Sequence, residues 1–331
     1  MSRKVRNRVS LVCFSLIVLS ISFSSVAPAQ VKDDNYPTRP ITLIVPYSAG
    51  GATDLEARLT ASYWKSKLGQ PVLVENKSGG GGAIGHREVA FAKPDGYTIG
   101  ITGFPDAAVL VALKGQEVGF KNDDLLVMGT FTNTPGALTV RKDGPFKTLK
   151  DFISYAKQNP GKLKISAAGQ IFLLHAFELE DQFGVELNPI MFKGGGETAN
   201  ALLGGHVDAM MAGSIFPMTM QDKGLVSLAV TGGSKRLEKL PDVPTMKELG
   251  YDMDYSLLRI FFVSRATPEP IVKKLTSSLM ELNNDPEFVE KIKAMGQIHA
   301  PLFGAELEQY YKNTCARIAK AVEKHNKRFV D

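Results

Sequence analysis

Cysteine is almost missing from this chain. Of 331 residues only Cys13 and Cys315 are cysteine, and Cys13 lies in a leader that reads as cleaved, so no internal disulfide can form in the mature protein. Histidine is scarce too. The five, at 86, 175, 206, 299 and 325, have no close pairing, which argues against a metal site. No Gly-x-Ser-x-Gly elbow occurs, and no glycine loop ends in Gly-Lys-Ser/Thr. The pairs Ser62/Lys65 and Ser154/Lys157 have a serine–lysine spacing, but they fall inside expected helices without the companion motifs. An excess of one charge is also absent. Lys and Arg number 39 against 34 Asp and Glu, and setting aside Arg3, Lys4, Arg6 and Arg8 leaves 35 against 34. A nucleic-acid partner needs a concentrated basic face, and this balance provides none. Glycine, 31 residues, has no period, which excludes a collagen-like chain. With 44% hydrophobic and 22% charged residues, the chain has a globular composition and is not generally disordered.

Nor is there an apolar run long enough for a membrane span. The stretch from Leu11 to Phe23 is about 13 residues and is interrupted by Ser15, Ser20 and Ser22, whereas spanning needs roughly 20. Four cations precede it and Ala27-Pro28-Ala29 follows, the pattern of a secretory signal peptide over residues 1–29 with cleavage before Gln30. Val12 sits where a lipoprotein site would need a small residue, so Cys13 is not a lipid anchor. The mature chain is then 302 of the 331 residues, in an oxidising compartment. Leu307, Tyr311, Cys315, Ile318 and Val322 share one helical stripe, which makes Cys315 a buried small hydrophobe.

What remains alternates strands and helices. Residues 41–45 (ITLIV) form a continuous apolar run, as in a strand buried on both faces. A glycine turn follows, then a helix carrying Leu55, Leu59, Tyr63 and Leu68. Residues 72–75 predict a second strand, 83–92 a helix and 97–102 a third strand, a βαβαβ layer with a parallel sheet. The grammar restarts with strands near 137–141, 163–167, 188–192, 207–211 and 226–230. Helices fall near 148–158, 172–183, 196–203 and 215–222. Beyond 265 only helices are expected, at 268–281, 285–294 and 304–325, and these must cover an existing sheet. Two α/β lobes, each with its own sheet, fit this layout.

Three glycine turns stand at strand ends. In Pro46 to Asp54 (PYSAGGATD), Gly50 and Gly51 permit a tight turn and close approach of a ligand. Thr53 or Asp54 can cap the next helix, and free N–H groups with the positive end of the helix dipole then face outward. Gly80-x-Gly82-x-x-Gly85, with Asp106 following the next strand, imitates a dinucleotide fingerprint. Four consecutive glycines meet many such templates by chance, and export removes the usual cofactor supply, so no cofactor is expected. Lys193 to Gly196 is the third turn. Together they suggest a cleft lined by backbone donors, without an assembled acid, base or nucleophile.

The ordered motifs YPTRPITLIVPYSAGGATDLEAR (36–58), GQPVLVENKSGGGGAIG (69–85), KPDGYTIG (93–100), FKTLKDFISYAKQNPGKLK (146–164), FKGGGETANALLGGHVDAMMAG (192–213), LAVTGGSKRLEKLPDVPTMKELGY (228–251) and RATPEPIVKKL (265–275) resemble the Bug-type solute receptors of tripartite tricarboxylate transporters, across essentially the whole mature chain. The resemblance implies an α/β, two-lobed periplasmic-binding-protein fold, type II-like, with a hinge and an interlobe ligand cleft. Lobe 1 would comprise 30–131 and 253–331, and lobe 2 would comprise 132–252. It further implies a non-catalytic, monomeric periplasmic receptor that closes on a small organic acid and delivers it to membrane permease subunits. Carried over by position, the first-lobe site comprises Tyr47, Ser48, Ala49, Gly50, Gly51 and Asp54, with Gly81, Gly82 and Thr102 nearby. The second-lobe site comprises Ser166, Gly169, Ile171, Phe172 and His175, plus Phe192 and Ser214.

This chain departs from many relatives at two places. Ile171-Phe172 replaces a Gly-Ser or Gly-Thr pair, removing a carboxylate-binding hydroxyl, and Ala212 replaces an aspartate that can meet a ligand ammonium. Phe192 also replaces a common tyrosine. A monocarboxylate or an acid with one apolar end is therefore expected over citrate or an acidic amino acid, unless Ile171 and Phe172 turn into the core. His175 reads more simply as a histidine tying its loop to its helix than as a catalyst. A secreted hydrolase-like enzyme and a sensor subunit for a membrane kinase are the competing classes.

Overall fold

The computed structural model describes residues 35–192, 195–233, 235–253 and 256–329. The expected signal peptide, and Lys193 and Gly194 of the third glycine turn, lie outside them.

The first apolar run forms β1 (Ile41–Val45), four of whose five residues are buried. It is flanked in parallel by β2 (Val72–Asn76) and β3 (Thr98–Phe104). The crossovers are α1 (Ala52–Leu68) and α2 (Ala83–Ala90), and α3 (Asp106–Lys114) follows β3. The sequence reading missed α3. Its residues DAAVLVALK lack an amphipathic stripe because Ala107 to Leu110 are all buried.

The chain then enters β4 (Leu125–Arg141), a strand of 17 residues. Only its last five were expected, since Pro135 and Gly136 interrupt the strand pattern before them. Its first part pairs antiparallel with β9 (Ser256–Ser264) and β10 (His299–Phe303), and its last part with β7 (Ala209–Gly213) and β8 (Leu225–Val230). Pro135 faces Ser256 of β9, and Gly136 faces Gly213 of β7. Proline therefore stands where the strand changes partners, a place that tolerates its missing N–H.

Beyond β4 come α4 (Leu149–Gln158), β5 (Lys164–Ala168), α5 (Gln170–Phe183), β6 (Asn188–Phe192), α6 (Gly195–Leu203) and α7 (Ile215–Thr219). The strand order is β2-β1-β3-β9-β4-β7-β5-β6, with β8 and β10 also on β4. The two expected sheets are thus continuous through one shared strand. A further correction is β10, since no strand was expected beyond 265. Its HAPLF carries a proline, which falls where the register with β4 shifts.

α8 (Glu269–Asn283) and α9 (Pro286–Ala294) cover the first sheet. Ile271, Leu275, Leu279 and Phe288 join Leu43, Trp64, Phe131 and Phe261 in one buried cluster. Trp64 is fully buried, donates Nε1–H to Ser278 Oγ at 2.6 Å, and meets Phe261 edge-on at 5.8 Å. α10 (Gly304–His325) does more than cover one sheet. Tyr311 stacks on Phe104 at 4.8 Å, while its end reaches α5, where Lys324 and His325 meet Asp181 at 2.6 and 3.0 Å and Arg328 pairs with Glu180. Cys315 on this helix is partly buried, and burial pushes its thiol up to about 12, away from reactivity.

Replacing Trp64 by Ala should destabilise the protein by about 3–5 kcal/mol through the cavity it leaves. A urea denaturation midpoint unchanged from wild type would contradict this packing.

Candidate functional site

A cleft of about 800 Å³ opens where strands of both parts of the sheet end. One side is built from the turn after β1 (Pro46, Tyr47, Ser48), the loop after β2 (Ser78, Gly79, Gly81, Gly82) and the start of α3 (Asp106, Val109, Leu110). The other side is Ala168, Gly169, Gln170 and Ile171 after β5, with Met191 and Phe192 at the end of β6.

Three helices, α2, α3 and α5, begin among the lining residues, and α1 begins just past Ser48, on the exposed rim of the first turn. The N-cap positions of α1, α2, α3 and α5 are Gly51, Gly82, Pro105 and Gly169, and none supplies a side-chain cap. By contrast, Thr148 caps α4 and Asp285 caps α9. Uncapped starts also occur at α8 and α10, so the distinguishing feature here is convergence on a cavity. First-turn N–H groups without intrahelical partners, together with the helix dipoles, make such a place favourable for an anion. Glycine is needed for shape as well. Gly169 lies at φ 86°, and a Cβ on Gly85 would come 2.8 Å from Pro46 Cα, so α2 sits directly on the first turn.

Beneath the first turn, Asp54 organises backbone. Its carboxylate accepts Gly50 N–H at 2.8 Å, Arg58 Nε at 3.0 Å and Asn76 Nδ2 at 3.0 Å, and Asn76 also donates to the Tyr47 carbonyl at 3.1 Å. Burial works to raise its pKa, but Arg58, the Gly50 N–H and Asn76 outweigh that and hold it below the usual carboxylate range. A second network runs along the cleft floor. Tyr47 Oη lies 3.1 Å from Asp106 Oδ2 and 3.0 Å from Thr102 Oγ1, which lies 2.8 Å from His86 Nε2, and His86 Nδ1 meets the Gly82 carbonyl at 2.7 Å. His86 is fully buried and stacked between Phe120 and Phe262. Below it, Arg259 of β9 donates to Gln297 at 2.8 Å and stands 3.7 Å from the fully buried Glu56. Burial pushes the Glu56 carboxyl up to about 7 against the pull of Arg259 and Thr132.

Of the residues singled out from the sequence, Tyr47, Ser48, Gly81, Gly82, Gly169, Ile171 and Phe192 line the cleft. Ala49, Gly50 and Gly51 are the exposed rim of the first turn. Asp54 and Thr102 lie beneath the surface as supports. Ser166 is fully buried, with Oγ 3.4 Å from the Ala209 carbonyl. Phe172 and His175 are buried edge-to-face at 5.4 Å, and Ser214 is fully buried, with its N–H on the Pro135 carbonyl at 2.8 Å. Ile171 and Phe172 are both buried in one core cluster, at 4% and 6% exposure; of the two only Ile171 also lines the cleft, whereas the Phe172 ring points toward Gly136, 3.6 Å from where a Cβ would stand. Ser78, Asp106, Val109, Leu110, Gln170 and Met191 were missed. Asp106 was noted only as the acid after the third strand and was set aside with the dinucleotide-like fingerprint.

Asp54→Ala should cost about 1–3 kcal/mol at pH 7 by leaving the Gly50 and Asn76 donors unmet. Because the folded pKa is lowered, that support is present above the unfolded value near ~3.9 and disappears as pH falls through the folded one. The stability gap from wild type, read by urea denaturation, should therefore shrink on acidification. A gap independent of pH would contradict the assignment.

Among the described residues no helix is long and apolar enough to cross a membrane. The model of the tripartite tricarboxylate transporter family receptor matches residues 56–326. The chain is 34% identical over 289 residues to the "UPF0065 protein in gbd 5'region" of Cupriavidus necator, covering 87% of this chain and 84% of that one. The crystal structure of a TctC solute binding protein from Polaromonas superposes with a TM-score of 0.75 at 29% identity, covering 87% of this chain and 99% of that one. An R. palustris protein solved with adipate gives a TM-score of 0.74 at 27% identity, covering 87% and 97%. The fold is therefore the two-lobed, hinged α/β fold of periplasmic binding proteins, with its cleft between the lobes. An uncapped ring of helix starts around that cleft and a family match over most of the chain lead to one conclusion: the protein belongs to the tripartite tricarboxylate transporter receptor family.

Proposed function

We propose that this chain is a monomeric periplasmic receptor, exported by residues 1–29, that captures a small organic carboxylate and delivers it to the permease subunits of a tripartite tricarboxylate transporter. The observation that carries the reading is the convergence of three uncapped helix N-termini on the cleft, with that of α1 at its rim. Each charge-assisted hydrogen bond from such an N–H contributes about 1.5–3 kcal/mol. The adipate held by the R. palustris relative supports an acid as ligand. We assign residues 30–131 and 253–331 to one lobe and 132–252 to the other. Ligand bridging the lobes then draws the population toward a closed form. No step of bond chemistry is assigned, in keeping with a family of receptors.

The ligand class follows from the walls. Ile171, Met191 and Phe192 face Val109 and Leu110 across the cleft, so an acid with an apolar body gains about 0.8 kcal/mol for each CH₂ buried. A second carboxylate against the Ile171 side would lack a donor, at a cost of about 1–3 kcal/mol. Phe172 is withdrawn from this argument, since its ring is in the core.

A thermal-shift screen should show stabilisation by hexanoate or benzoate, less by adipate, whose second carboxylate meets the Ile171 side, and none by citrate or glutamate. The reverse ranking would refute the ligand class. Gly50 tests the first turn. Its φ of 83° and the open space around its Cβ direction mean that Gly50→Val strains the loop by about 1–2 kcal/mol and intrudes on ligand space without striking the protein. Affinity should fall more than tenfold in calorimetry, and wild-type affinity would sink the role of this turn.

A further inference from the structure

We propose that Asp106 is a specificity-determining residue of the cleft: it carries a proton when the acid ligand is bound, so that the receptor takes up one proton with each carboxylate. This rests on the carboxylate reading above and adds a group to it.

Among the described lining residues there is no lysine, arginine or histidine, and Asp106 is the only carboxylic acid. A ligand carboxylate enclosed with an ionised Asp106 would meet like charge in a space with little water to screen it. The helix N-termini favour one negative charge, and a second one competes for them.

The hydrogen-bond chain on the floor supplies an independent count. Four contacts run in series, from Asp106 Oδ2 through Tyr47 Oη, Thr102 Oγ1 and His86 Nε2, and from His86 Nδ1 to the Gly82 carbonyl. All four are filled only when the chain holds four protons. The carbonyl can only accept, so His86 Nδ1 carries a hydrogen, and the hydroxyls of Tyr47 and Thr102 carry one each, which serves three contacts while Asp106 is ionised. A fourth proton, taken up with the ligand, sits either on the Asp106 carboxyl or on His86 Nε2 as an imidazolium. Without it, Tyr47 turns to the carboxylate, Thr102 turns to His86, and the 3.0 Å contact between the two hydroxyls is empty. The Gly103 carbonyl, 3.4 Å from Thr102, is a more distant acceptor and cannot fill that gap.

The surroundings decide where the proton sits. His86, stacked between two phenylalanines, is pulled down by burial to about 4, whereas burial lifts Asp106 to about 6 against the opposing effects of the Tyr47 hydrogen bond and Arg259. The charged and titratable groups facing Asp106 are Tyr47 from the β1 turn, His86 of α2 through Thr102, and Arg259 of β9. The Arg259 charge is shared with Glu56 of α1. Closing the cleft over a carboxylate removes water and adds negative charge, and both favour the protonated acid further.

Calorimetry with adipate and with hexanoate tests this, in phosphate and in Tris at pH 7.5. The wild type should show a buffer-dependent heat equal to nearly one proton taken up per ligand. Its Kd should rise about tenfold per pH unit between ~7 and ~8. Asp106→Asn keeps a donor toward Tyr47 without a charge, so its heat should be the same in both buffers and its Kd flat with pH. A buffer-independent heat and a flat Kd in the wild type, or proton uptake persisting in Asp106→Asn, would overturn the proposal. If neither acid binds, the carboxylate reading fails, and the free protein still decides this one. The Asp106 carboxyl ¹³C resonance, identified by its loss in Asp106→Asn, should titrate above about 5, and a midpoint at or below the ordinary ~3.9 refutes it.

Discussion

Strand β4 is the constraint on which the rest depends. Seventeen residues at about 3.3 Å each reach some 56 Å, long enough for one strand to satisfy its backbone in two successive neighbourhoods. Leu125 to Pro135 find their partners in β9 and β10, and Gly136 to Arg141 find theirs in β7 and β8. The hand-over falls at Pro135-Gly136, where a residue without an N–H meets one without a side chain. Because β9 returns beside the same strand, its start pairing with Pro135, Thr134 and Asn133, the chain crosses twice at one place. The helix starts of both parts therefore open toward a common space. α10 spans the same junction from outside, stacked on Phe104 at one end and bonded to Asp181 at the other.

The cleft holds no cationic side chain among its described lining residues, and the electrostatics of the region follow from that. Positive potential comes from backbone at the helix N-termini, which is fixed in place by glycine geometry and by the Asp54 scaffold. The nearby arginines are already engaged, Arg58 on Asp54 and Arg259 on Gln297 and Glu56. A site built this way fixes the direction of approach for an anion while leaving the opposite wall free to be apolar. Ile171, Met191 and Phe192 take that freedom.

The βαβαβ opening was legible in the sequence, because ITLIV and the helical spacing of Leu55, Leu59 and Tyr63 are local signals. The strands that join the two parts were not. In β4, polar and turn-forming residues at 132–136 mask a strand whose stability is supplied by partners between 69 (Val140 to Ala209) and 174 (Gly129 to Phe303) residues away. In β9, Arg259 interrupts SLLRIFFVS, and its burial makes sense only once Glu56 and Gln297 are beside it. The glycine turns of the site were visible as turns, and their helix-cap role followed from position. The two fates of Ile171 and Phe172 were not, since adjacent residues at a helix start point in directions that only the packing of Gly136 and Met211 decides. Asp106 was visible as a residue, but nothing local distinguished a cleft acid from a surface one.

The most direct test of the account is a crystal structure of the protein with hexanoate or adipate bound. The account predicts the ligand in the cleft, with a carboxylate within about 3.2 Å of backbone N–H groups at the starts of α1, α2 or α5 and its methylenes against Ile171 and Phe192. A carboxylate paired with an arginine or lysine side chain, or a ligand lying outside this cleft, would contradict it.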